Sequence, residues 1–312
     1  MYMMKTQFAL LIMFTALLSA VVFAQREPSG QPTGRIVFAS QNPDLGSRRD
    51  IFIMNADGSD PLQLTTGPND NYSPDISPDG TKIVFVSGED NGRVDHMDLI
   101  VMNVDGTNPV NITNYPHLYY SPHWSPDGER IVFRSNRDGS PDLYIINADG
   151  SGLMQLTDQA GFENYPVWSP DGRQIVFVYE PEGSRELVLM TLEDQTLTRL
   201  TDNDEEDAFP DFSPDGTQIA FSTDEGGDGG IFVLTLDTGE IDQLTDNETN
   251  EFEPRWSPDG AHIAFISDRE GNFEIYVMKA DGSDVRQLTN RIEEDFFIAW
   301  GIEPDADSTP EP

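Results

Sequence analysis

The tetrapeptide Ser-Pro-Asp-Gly begins at Ser77, Ser125, Ser169, Ser213 and Ser257, with spacings of 48, 44, 44 and 44 residues. A second marker, an aliphatic residue followed by Thr, begins at Leu64, Ile112, Leu156, Leu200, Leu244 and Leu288. It keeps the same spacings and adds one copy. Self-similarity at a fixed period confines a chain to architectures in which each unit packs on its neighbours. Six such units fill Gly34 to Ile302.

Each unit reads as four short strands. The first ends in an aromatic or aliphatic residue just before the tetrapeptide: Ile76, Trp124, Trp168, Phe212 and Trp256. Asp-Gly then turns the chain, because glycine accepts positive φ at the bend. The second strand follows, as in Arg130-Ile131-Val132-Phe133, and the third comes after a polar loop, as in Asp142-Leu143-Tyr144-Ile145-Ile146. A further turn, Ala-Asp-Gly-Ser in three copies, leads to a fourth strand ending in Leu-Thr. These β-branched and aromatic runs between turn residues predict strands, and no segment keeps a helical period. The expected fold is all-β, a six-bladed β-propeller of four-stranded antiparallel blades. The chain enters at a second-type strand, Gly34 to Phe38, and ends at a first-type strand, Phe296 to Trp300. The C-terminal strand is therefore expected to complete the first blade, closing the ring and hiding two sheet edges.

The run Pro254-Arg255-Trp256-Ser257-Pro258-Asp259-Gly260-Ala261-His262-Ile263-Ala264-Phe265 resembles the WD40-like repeat of the TolB-type propellers. The resemblance covers residues 34–302 and implies the same propeller. Relatives of that kind also carry an α/β domain ahead of the propeller, or a hydrolase domain behind it. Here only nine residues separate Ala24 from Gly34, so the reading is of a propeller alone.

The ends are read separately. Lys5, the apolar run Phe8 to Phe23 and the small residue Ala24 predict a secretory signal over residues 1–24, hence a periplasmic or secreted protein. Residues 25–33 form a short connecting segment, and the polar 303–312 a disordered acidic, Pro-containing tail. No apolar run after the signal is long enough to cross a membrane. Cysteine is absent, which removes disulfides, lipid attachment and thiol chemistry. The net charge of −38 excludes nucleic acid and an anionic membrane as partners. The expected partner is an envelope or extracellular protein, or a glycan, basic or neutral, met by a monomer.

Nucleophilic chemistry lacks its marks: there is no Gly-x-Ser-x-Gly elbow, and most serines lie in the repeated turns. His117 and His123 flank Leu118 to Pro122, read as the loop entering an inner strand, and supply an alternative reading, a polysaccharide lyase or hydrolase with a metal or carboxylate site beside them. No Asp-Gly turn extends into a calcium loop, and Asp224 to Gly230 reads as an acidic hairpin. The preferred site is positional. Five residues before the inner-strand aromatic stand Asn71, Tyr119, Glu163, Asp207, Glu251 and Asp295. Equivalent positions in a closed ring form a circle, so these are expected at one mouth of the channel, where carboxylates attract cations or basic side chains. The expected function is non-catalytic binding there of a protein, peptide, glycan or cation. No cofactor is expected beyond a divalent cation at that mouth.

Overall fold

The computed structural model describes residues 30–41, 48–89, 96–113, 117–181, 183–224, 229–246 and 248–305. The expected signal, the centre of the acidic hairpin and residues 306–312 lie outside them. Six four-stranded antiparallel sheets follow one another round a ring, and no helix occurs among the described residues. The inner strands are Glu294–Gly301, Asn69–Ile76, Tyr119–Trp124, Phe162–Trp168, Asp207–Phe212 and Glu251–Trp256, for blades one to six. Blade one is composite, as the sequence predicts: Glu294–Gly301 pairs antiparallel with Arg35–Gln41, placing Trp300 opposite Ile36. Trp300 Nε1 donates to the carbonyl of Thr33 at 2.9 Å, and Glu303 pairs with Arg35 at 2.8 Å. The start of the expected tail is thus tied to the first strand.

The repeated turn shows why its residues recur. In the first copy Ser77 Oγ donates to Asp79 Oδ1 at 2.6 Å, and Thr81 N donates to the same oxygen at 3.0 Å. The glycine stands at φ 71°, which a side chain would strain. The copies also stack: a Cβ on Gly172 would lie 3.3 Å from Pro126 of the preceding blade's turn. One tetrapeptide therefore makes a hairpin and seats it against its neighbour.

Each second strand sends its aromatic residue into the space between blades. Phe38, Phe85, Phe133, Phe177, Phe221 and Phe265 are all buried. Side chains of consecutive blades interdigitate there, so the core is a ring of interblade layers. No helix among the described residues is long and apolar enough to cross a membrane.

Candidate functional site

The six residues expected at the mouth are buried, each at 5% exposure or less. Their side chains turn into the seams between blades. Thr157, from the preceding blade's Leu-Thr marker, donates to Glu163, while its oxygen accepts the Leu143 amide at 2.9 Å. Asp142, which opens that blade's third strand, lies in the same seam. The motif recurs. Thr289 Oγ1 donates to Glu274 at 2.5 Å and also bonds Asp295, and Thr201 bridges Glu186 and Asp207. Asn71 Nδ2 approaches Thr65 at 3.3 Å and Asp50 at 3.4 Å, and Thr113 Oγ1 donates to Asp98 at 2.9 Å in the seam that Tyr119 enters. In the fifth blade Gly230 replaces the acid, and Arg269 pairs with Glu251 instead. The carboxylates are thus placed as latches between blades rather than as an open acidic circle.

Burial carries a titration signature. It pushes Glu163 up to about 7; the Thr157 bond opposes this and the charge of Asp142 adds to it. Burial raises Asp207 to about 6. A carboxyl raised above its unfolded value stabilises the fold while neutral. Its contribution is complete below the ordinary value of 4.5 and is lost as pH rises through 7. Glu163→Gln stays neutral at every pH. Its melting temperature relative to the parent should therefore rise between about pH 5 and about pH 8. A pH-independent difference would mean that Glu163 ionises freely in the fold.

The channel is built by a feature shared by all six inner strands. Each carries a β-bulge, and at each bulge one non-glycine residue has left-handed φ: Ser73, Ser121, Tyr165, Phe209, Glu253 and Phe297, at 48 to 58°. Such strain costs on the order of 1 kcal/mol per residue and concentrates at functional sites. The bulge aims the strained residue and its predecessor inward. With Phe273, just before the strand Glu274–Lys279 of blade six, they form a chain of touching rings across five blades: Tyr72, Phe297, Phe296, Phe273, Phe252, Phe209 and Tyr165, with neighbouring centroids 4.2 to 6.3 Å apart. The gap in this arc, at blade three, holds Tyr120 and Arg134, whose guanidinium lies 4.6 Å from the Tyr120 ring and 4.4 Å from that of Phe162. Apart from Tyr72, these rings are only partly buried. Arg49 caps Tyr72 at 4.3 Å while paired with Asp70.

Below this collar the bore narrows to a cavity of about 30 Å³ between Tyr165, Phe297, Glu253 and the inner-strand prolines. It then widens to about 210 Å³ at the opposite end, lined by Asp75, His123, Asp211 and Arg255. Asp75 and Asp211 each accept the backbone N–H of the next blade's tryptophan at 2.7 Å. Burial lifts Asp211 to about 6 and Glu253 to about 7, and the charge of Arg255 opposes both shifts. His123 lines this chamber, but His117 precedes the other end of the same strand and is not brought to it. Five residues of mostly extended chain lie between the two, a span on the order of 15–20 Å. No cluster of three His, Cys, Asp or Glu side chains that could hold a metal occurs among the described residues.

The aromatic collar was missed in the sequence, although a column for it exists. Every unit carries an aromatic residue three or four places before the inner-strand marker: Tyr72, Tyr120, Tyr165, Phe209, Phe252 and the pair Phe296-Phe297.

The TolB beta propeller domain model matches residues 81–241 and 208–307. No curated protein matches the sequence. Among solved structures, TolB from Acinetobacter baumannii is 25% identical with a TM-score of 0.78, over 86% of this chain and 67% of that one. A TolB candidate from Agrobacterium tumefaciens is 19% identical with a TM-score of 0.66, over 86% of this chain and 91% of that one. An oligogalacturonate lyase in complex with manganese shares the fold at 14% identity and a TM-score of 0.58, over 84% of this chain and 77% of that one.

Proposed function

The chain belongs to the TolB beta propeller family, and from that premise we propose that it is a non-catalytic binding module holding a protein partner at the aromatic collar. The observation that carries this reading is the six-fold ring of strained bulges presenting partly exposed aromatic rings around one opening. Aromatic side chains in a preorganised concave setting supply most of the energy at interfaces and cost little entropy to hold in place. A peptide segment offers apolar side chains to these rings. A neutral glycan needs polar groups, and the carboxylates nearest the collar are spent in the latches. The overall charge of −38 raises encounter rates with a basic partner without itself forming the site. Export to the periplasm or beyond belongs to the same proposal, resting on the apolar leader.

A second reading is favoured by the lower chamber, where His123, Asp211 and Arg255 surround a cavity. Of these only Asp211 has a carboxyl lifted by burial, the kind of group acid–base catalysis uses. Turnover of a polysaccharide that disappears in Asp211→Asn would place chemistry there.

The test is affinity capture from an envelope extract. The chain from Gln25 onward is compared with the double variant Tyr165→Ser, Phe209→Ser. A protein held by the parent and lost by the variant is the expected result. Equal capture by both would remove the collar from binding.

A further inference from the structure

Arg134 breaks the repeat. The equivalent positions of the other second strands are Ala39, Val86, Val178, Ser222 and Ile266, all small or apolar. The cost of a guanidinium in this column is visible: burial lowers its pKa, and only phenol groups act against that. No carboxylate pairs with Arg134 among the described residues, and its Nε is buried without a hydrogen-bond partner among them. Arg49, Arg185, Arg269 and Arg291, by contrast, each hold at least one acid. In a chain with 56 acidic residues, an arginine left without one is not explained by charge balance. Its surroundings suit an anion: the guanidinium lies over the rings of both Tyr120 and Phe162, and the phenols of Tyr120, Tyr165 and Tyr72 lie in its field.

We propose that Arg134, lying over the rings of Tyr120 and Phe162, receives a carboxylate side chain of an extended peptide whose apolar neighbours rest on the aromatic collar. This rests on the collar being the binding site. A planar fork matches a carboxylate with two parallel N–H···O bonds, and stacking leaves its edge free to make them. One guanidinium balances one negative charge, so a single carboxylate fits better than a phosphate dianion in so acidic a molecule. A uronic acid would supply the same carboxylate, but its ring hydroxyls find few free polar groups on an arc of phenyl rings.

The test uses two peptides differing by one group, acetyl-Phe-Asp-Phe-amide and acetyl-Phe-Asn-Phe-amide, titrated calorimetrically into the chain from Gln25 onward. The parent should bind the aspartate peptide about tenfold more tightly than the asparagine peptide. Arg134→Met should erase that preference, the aspartate peptide then binding no more tightly than the asparagine peptide. Because the column accepts Val and Ile elsewhere, this variant should melt no lower than the parent, and Arg134→Lys should restore part of the preference. Equal affinity of the parent for both peptides, or a preference that survives in Arg134→Met, overturns the assignment while the collar stands. The same holds if neither peptide binds while the collar variant still loses its captured protein. Competition by methyl galacturonoside but not by the aspartate peptide overturns it in favour of a sugar acid.

Discussion

Removal of residues 296–302 is expected to abolish the cooperative melting of the propeller or lower its midpoint by at least about 15 °C. The segment supplies the inner strand of blade one. It buries Ile298 and Ala299, and its Phe297 ring meets Tyr72 of the next blade at 5.6 Å. Without it, the strand Arg35–Gln41 loses its antiparallel partner, and Ile36, Val37, Phe38 and Ala39, all fully buried in the closed ring, face water. Exposing several large apolar side chains costs roughly 2 kcal/mol each. The sum rivals the whole stability of an ordinary domain, about 5–15 kcal/mol. Differential scanning calorimetry of the truncated and full chains measures it. Equal midpoints would show that the ring does not depend on its closing strand.

The second large effect is expected at a latch. Thr157→Val keeps the shape of the side chain but removes its bond to Glu163 and its acceptor for the Leu143 amide. The Leu143 amide and the Glu163 carboxyl then each lose one hydrogen bond and keep only the one they make to each other, which costs about 2–3 kcal/mol. Thr245→Val makes a sharper comparison. Thr245 also accepts an amide, that of Ile231 at 2.9 Å, but Gly230 stands where the other blades carry the third-strand acid. It should therefore lose only about 1–2 kcal/mol. Chemical denaturation of the two variants beside the parent checks the difference. Equal losses would mean that the threonine serves the backbone alone and that the acids contribute nothing to joining the blades.

Much of the fold was legible because the repeat states it more than once. Ser-Pro-Asp-Gly fixes the hairpin, Leu-Thr fixes the outer strand, and the unpaired strands at Gly34 and Trp300 predict closure. The site was harder to read for a definable reason. Counting five residues back from the inner-strand marker found one structural position in all six blades. The side that position faces depends on the bulge lying between it and the marker. That bulge places Ser, Tyr, Phe or Glu at left-handed φ, so no glycine announces it in the sequence. A strand read without the bulge has its alternation out of phase, and the buried face is taken for the channel face. The partners that account for the carboxylates, the Leu-Thr threonine and the acid opening the third strand, were visible as columns too. Only the packing of one blade on the next brings the three together. Arg134 was legible in principle, as the one charged residue in a column of small and apolar ones.

Hydrogen exchange of the chain with its captured protein tests the central claim most directly. If the collar is the binding surface, amides of residues 69–73, 117–121, 162–165, 205–209, 250–253 and 294–297 should gain protection on binding, while the outer strands and the Ser-Pro-Asp-Gly turns exchange as before. Protection confined to the outer strands, or to the turns at the opposite end of the channel, would contradict the account.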